Sequence, residues 1–214
     1  MTLKKPIVLI FILPLLLLTS CYEVANEIKN WTEINASDQL FGKQHYLDKD
    51  GIKVFLPESF KPYNAVEYNQ LIDSLVVDNK KLKIEQKRLK TMREIEGNHY
   101  IFFDSTAYST YTINTIPYTP ITRQDAKYLL GIIRQNQDNL SQLTDLKYTK
   151  LTAKHNNNGN TQVFKAIYKV ENEDNYHQIF QHIYFVSSNK KTAFINLSTP
   201  FDVNFDPFLE KMIL

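Results

Sequence analysis

Few residues of this chain are of types, and at spacings, that could do chemistry. There is one thiol, Cys21, and the five histidines are scattered. His177 and His182 are the nearest histidine pair. Side chains alternate along a strand, so on one strand these two would point to opposite faces and would need a bulge to share a metal. Glu171, Glu173, Asp174 and His177 gather at a predicted hairpin tip. A hard cation and a solvated turn are both readings of that cluster. The solvated turn is favoured, because the tip lacks the ligand-rich loop of calcium sites. His45, His99 and His155 have no evident partner and read as surface or strand residues. The glycines are too dispersed for a dinucleotide or phosphate loop, and neither G-x-S-x-G nor H-E-x-x-H occurs. The sequence therefore predicts no catalytic residue, no metal site and no cofactor.

Charge is concentrated in one place. Lys80, Lys81, Lys83, Lys87, Arg88, Lys90 and Arg93 stand against only Glu85 and Glu94 in the run 80–94. Leu82, Ile84, Leu89 and Met92 are interleaved and make it partly amphipathic. One reading is contact with anionic headgroups or an acidic partner, worth up to about 1 kcal/mol per basic residue near a bilayer. The other, which is favoured, is the solvated face of a long helix with Leu89 and Met92 turned inward.

The first twenty residues explain the net charge of +2. Lys4 and Lys5 precede the apolar run Ile7–Leu18, with small polar Thr19 and Ser20 next. That is the order of a signal peptide. A spanning anchor needs about 20 apolar residues, and this run is shorter and interrupted by Pro14. Without Lys4 and Lys5 the rest is formally neutral, which gives no reason to expect a nucleic-acid partner. Leu18-Thr19-Ser20-Cys21 resembles the lipobox of bacterial lipoproteins. The resemblance implies cleavage between Ser20 and Cys21, acylation of Cys21 and a membrane as first partner. Two or more acyl chains hold firmly where one does not. Tyr22 follows Cys21, where an aspartate would retain the protein in the enterobacterial inner membrane. In a two-membrane envelope the outer membrane is therefore favoured.

Residues 1–20 thus read as a signal peptide, 21–43 as a tether containing Trp31, and 44–214 as one α+β domain. Gln44–Leu47 and Ile52–Leu56 flank Asp48-Lys-Asp-Gly51, a strong hairpin signal. From Asn64 onward Val66, Leu71, Ile72, Leu75 and Val76 fall at helical intervals. His99–Asp104 and Ala107–Tyr118 follow as strands, after Gly97-Asn98 stops the helix. Thr122 and Asp125 make a capping-box-like start for a helix striped by Ala126, Leu129, Leu130, Ile133 and Leu140. Lys147–Lys154, Thr161–Val170, Tyr176–Val186 and a strand with Ala193, Ile195 and Leu197 inward complete the sheet. Asp206 as N-cap and Pro207 as first helical residue open a closing helix packed through Phe208, Leu209, Met212 and Ile213. Tight hairpins dominate, so the sheet should be mainly antiparallel with helices on its faces. The strand before Ser187 is apolar on both sides, which predicts cover on both.

Gly51-Ile-Lys-Val-Phe-Leu-Pro-Glu-Ser-Phe60 near the start, and Thr192-Ala-Phe-Ile-Asn-Leu-Ser-Thr-Pro200 before the closing helix, resemble the PsbP-like family, which includes lipoproteins of the DcrB type. The resemblance implies an α/β/α sandwich, a role in binding or assembly with a protein partner, and no active site that can be carried over. The alternatives are an envelope hydrolase with an unrecognised site, and a membrane-surface module using the basic 80–93 run. If Cys21 is the anchor, Cys21→Ser removes palmitate labelling and moves the protein from the membrane to the soluble fraction. Unchanged fractionation would refute the lipobox reading.

Overall fold

The computed structural model describes residues 40–76, 96–143, 146–172 and 178–214. Cys21, Ser20, Trp31 and the basic run 80–93 lie outside the described residues. So do Glu173, Asp174 and His177 of the hairpin-tip cluster.

The first hairpin forms as its turn signal predicts. Strand β1 (Lys43–Leu47) pairs antiparallel with β2 (Ile52–Leu56), and Leu47 faces Ile52 across the turn. Gly51 sits at φ +62°, where a Cβ would be strained, and its N–H donates to the Leu47 carbonyl at 2.9 Å. Sequence reasoning missed the next strand, the three-residue β3 (Lys61–Tyr63). Pro62 sits inside it, and a strand proline is tolerated because β3 is an edge.

Helix α1 (Ala65–Val76) begins with a capping box overlooked in the sequence. The Asn64 carboxamide oxygen accepts from the N–H groups of Val66 and Glu67, both at 2.9 Å. The Glu67 carboxylate accepts from the Asn64 N–H at 3.2 Å. The predicted stripe holds at Leu71, Ile72 and Leu75, which pack together, and is corrected at Val66. Tyr68 and Ile72 are the buried residues, whereas Val66 is 66% exposed.

The main sheet has seven strands in the order β3-β4-β5-β9-β8-β7-β6, all paired antiparallel. Its members are β4 (His99–Asp104), β5 (Ser109–Ile116), β6 (Leu146–Asn157), β7 (Thr161–Asn172), β8 (Gln178–Ser188) and β9 (Lys191–Thr199). Ser187 and Ser188, expected in a turn, lie in β8 instead. The turn is only Asn189-Lys190, both at positive φ, the conformation that suits strand twist in a two-residue hairpin.

Directly opposed residues share a sheet face, so the register separates two cores. On one face Ile101 and Phe103 of β4 pack with Tyr68 and Ile72 of α1. Farther along it, Phe164, Ala166, Tyr168 and Ile183 pack with Ala126 and the half-buried Leu129, Leu130 and Ile133 of α2 (Arg123–Leu143). The Thr122–Asp125 box caps α2 as predicted: the Thr122 N–H donates to the Asp125 carboxylate at 2.8 Å, and the Asp125 N–H to the Thr122 hydroxyl at 3.2 Å. The other face carries Phe102, Tyr111, Ile113, Tyr184, Val186, Ala193, Ile195 and Leu197. Hairpin β1–β2, Val203, Phe205 and Phe208 cover it. Both faces of β8 are therefore covered, as its sequence requires.

Helix α3 (Asp206–Glu210) departs from its predicted start. Phe205 is the N-cap and Asp206 and Pro207 are its first two helical positions, without a side-chain cap. Ile213, expected to pack inward, is 51% exposed and instead bridges Lys53 through its backbone, at 2.8 and 2.9 Å. The outer layer on this face is thus a hairpin extended by the chain end, with one short helix.

Two glycines give opposite expectations. Gly97 has φ +113°, and a Cβ there would lie 1.6 Å from the Thr115 carbonyl oxygen. Gly131 is helical and open, with nothing within 4 Å of its Cβ position. Gly131→Ala should raise stability by about 0.5–1 kcal/mol in urea melts, while Gly97→Ala should lose more than about 1 kcal/mol.

Candidate functional site

The densest titratable group among the described residues lies under α3. Lys165 of β7 and Tyr184 of β8 are directly opposed, and His182 is on the same face two residues before Tyr184. The Lys165 ammonium donates to both Asp206 oxygens, at 2.7 and 2.6 Å. The Tyr184 hydroxyl is 3.5 Å from Asp206 and 3.3 Å from Nδ1 of His182. Burial, then the Asp206 carboxylate, push the Tyr184 hydroxyl well above its ordinary range. His182 is pushed down to about 4, first by burial and then by the Lys165 charge, with Asp206 opposing. Its Nε2 is buried without a hydrogen bond.

These are the residue types of an acid–base site, but their placement is that of a latch. His182 and Tyr184 are fully buried, and the charged pair ties β7 to the start of α3. A substrate has no route to a neutral imidazole covered in this way. A second latch holds the first hairpin to β4: the Asn98 carboxamide and the Tyr100 hydroxyl donate to Asp50, and Lys191 donates to the Gly51 carbonyl.

The open concavity is on the opposite face, at the start of α2. It is a cleft of about 190 Å³ lined by Ile116, Pro120, Ile121, Tyr128, Leu129 and Phe185, with Thr119, Thr192 and Asp125 at its polar edge. Its loop is pinned from three sides. The Thr119 N–H donates to the Thr192 hydroxyl at 2.8 Å, and the Thr192 hydroxyl donates to the Thr119 carbonyl at 3.1 Å. The Ile121 N–H donates to the Gln162 side chain, and Nε2–H of His155 donates to the Ile121 carbonyl at 2.9 Å. His155, which shows no partner in the sequence, is therefore part of this frame. His99 is also partnered, through Nδ1 to Asn114 at 2.8 Å. Beneath the cleft Phe185 stacks on Phe194, with ring centroids 4.6 Å apart. Tyr128 is 71% exposed beside it, and Tyr118 and Ile132 are exposed nearby in sequence. Asp125 is held below the usual carboxylate range, first by the Thr122 hydroxyl, then by the Thr122 N–H and the nearby His155.

The cleft holds no acid–base pair. Asp125 is occupied by the helix cap, and its volume is below that of a typical small-molecule pocket. It is preformed, apolar and of a size for one or two side chains. No group of three or more His, Cys, Asp and Glu side chains gathers as a metal site among the described residues.

No protein-family model matches the chain, and no curated protein matches it. The solution structure of cyanobacterial PsbP (CyanoP) from Synechocystis superposes with a TM-score of 0.51 at 11% identity, covering 85% of this chain and 96% of that one. The fold is PsbP-like. The Ran-binding protein Mog1p of Saccharomyces cerevisiae aligns over 75% of this chain and 77% of its own at 10% identity, with a TM-score of 0.41. A protein of unknown function from Pseudomonas aeruginosa aligns over 74% of this chain and 83% of its own at 11% identity, with a TM-score of 0.29.

The His182 latch has a pH signature. An unfolded histidine titrates near 6.5, so as pH falls the unfolded state takes up its proton before the folded state does. The stability due to a neutral His182 is complete above that pH and is lost as pH falls toward about 4. The loss is on the order of 3 kcal/mol. Burial and the nearby Lys43 charge also lower the titration of His45, which adds in the same direction. Urea melts at pH 7 and pH 4.5 should show the loss, and His182→Leu should flatten it. An unflattened slope would assign the effect elsewhere.

Proposed function

We propose that this chain is a lipid-anchored envelope protein whose domain binds or assembles with a protein partner and catalyses no reaction. The carrying observation is the division of labour between the two faces. His182 and Tyr184 are buried, and Lys165 is tied up in an ion pair with the part-exposed Asp206 at the start of α3. The open cleft is apolar, pinned in shape, and flanked by exposed Tyr128. A preformed apolar concavity with an exposed aromatic suits the capture of a partner's side chain, since aromatic anchors in pockets dominate interface energies.

The anchoring rests on the leader. The basic start, the apolar run Ile7–Leu18 and Cys21 support a tether to the membrane, with the outer membrane favoured by Tyr22. The residues between Cys21 and the packed Leu40 then act as a leash for the domain, whose first strand begins at Lys43. The PsbP-like resemblance read from Gly51–Phe60 and Thr192–Pro200 implies the same binding role.

Photo-cross-linking in native membranes tests this reading. A benzoyl-phenylalanine at position 128 of the full-length protein should give a discrete protein adduct that Leu129→Asp abolishes. The same probe at exposed position 210, on α3 and the opposite face of the sheet, should give none. Indistinguishable labelling at the two positions would refute a cleft-centred binding role.

A further inference from the structure

The seven-stranded sheet ends in two unlike edges. At one end β3 has three residues and contains a proline. At the other, β6 runs for twelve residues, Leu146–Asn157, and pairs only with β7 among the described strands. A long free edge offers a row of backbone donors and acceptors to another strand.

The side chains of this edge are of one sign. Lys147, Lys150 and Lys154 are all exposed on β6, His155 follows, and the strand contains no acid. Lys147 stands opposite Glu171 and Lys154 opposite Lys165, on the face that also carries His182. The neighbouring cations are already matched: Lys165 with Asp206 and Lys169 with Glu171 at 2.7 Å. On the helix side Arg134 and Asp138 both stand near Tyr168 and offset each other. Among the described residues the lysines of β6 therefore leave a net positive edge.

The register slips between Lys150 and Thr152, and Leu151 is the extra residue. The slip lets Tyr148 and Ala153, an odd number of residues apart, face the same core under α2. It also divides the edge into two short ladders and leaves Leu151 47% exposed between them. Lysines and a bulge are known protection against edge-to-edge self-pairing, because two such edges would set lysine against lysine. Like charges repel the wrong strand, and the same charges select a strand of opposite sign.

We infer that the β6 edge is a docking site for an extended acidic segment of a partner protein, which adds to the sheet as an eighth strand. The backbone ladder supplies affinity, and the lysine row supplies the choice of partner. Glutamate or aspartate at alternate positions of the added strand all point to one face and meet Lys147 and Lys154 there, while Lys150 on the other face adds to the positive charge of the edge. Leu151 offers an apolar contact at the middle. This inference rests on the reading of the domain as a binding module and assigns that module a second surface, away from the Tyr128 cleft.

The experiment uses the full-length protein in detergent and three synthetic peptides: an alternating Glu/Val strand, the same composition with prolines at alternate positions, and a Lys/Val strand. The Glu/Val peptide should bind and slow hydrogen exchange of β6 amides. The proline and Lys/Val peptides should not. The triple change Lys147→Glu, Lys150→Glu and Lys154→Glu should weaken binding about ten-fold or more while the thermal midpoint stays near that of the parent. Equal binding of the Glu/Val and proline peptides would overturn the inference, because it would report charge attraction without strand addition. So would no binding of the Glu/Val peptide. In either case a surviving adduct at position 128 would leave the binding role standing and remove only this surface.

Discussion

The structure depends on one constraint: β8 and β9 cannot leave either face against water. Tyr184, Val186, Ala193, Ile195 and Leu197 are buried on one side, and Ile183 with the half-buried Phe185 and Phe194 on the other. Burial of a large apolar side chain is worth about 1.5–3 kcal/mol, so neither cover can be omitted cheaply. Two helices cover one face. The other is covered by the hairpin β1–β2 and closed with Val203, Phe205 and Phe208 around the short α3.

Cover built from small pieces needs polar fastenings, and these absorb the chemistry that would otherwise suggest an active site. Asp206 fixes α3 to β7 through Lys165, and Asp50 fixes the first hairpin to β4 through Asn98 and Tyr100. Tyr68 brings its hydroxyl into the core and meets the Thr110 hydroxyl at 2.7 Å, locking α1 over β5. A buried polar group that finds a partner adds about 0.5–1.5 kcal/mol, whereas one left alone costs about 1–3. Each fastening is therefore directional as well as stabilising: the piece fits in one position only.

Local signals in the sequence carry much of this design. Asp48–Gly51 and the Thr122–Asp125 box are physical instructions that operate within a few residues, and both are obeyed. The alternation of β8 announces two covered faces before any partner is known. What stays hidden is what depends on distant partners. Val66 and Tyr68, two residues apart, cannot share one face of α1. Tyr68 is the one at helical spacing with Leu71, Ile72 and Leu75, and its inward place is sealed by Phe103. His155 looks unattached until a loop more than thirty residues upstream brings the Ile121 carbonyl to it. The lipobox and the basic 80–93 run are the converse case, legible as sequence and outside the described residues.

The slip at Leu151 shows how one local irregularity serves two ends of the molecule. Strict alternation from Tyr148 would place Ala153 on the face away from α2 and leave that core incomplete, since a one-residue shift inverts every side chain that follows. The extra residue restores Ala153 to the core. It does so by interrupting the β6–β7 ladder, and β6 is where an interruption is tolerated, because only one of its sides is paired among the described strands. On a central strand such as β9 the same slip would break ladders on both sides. The irregularity and the charge thus lie on the same strand for a common reason. The edge is the part of the sheet with freedom to vary, so recognition can be written there without disturbing the core that β8 and β9 require.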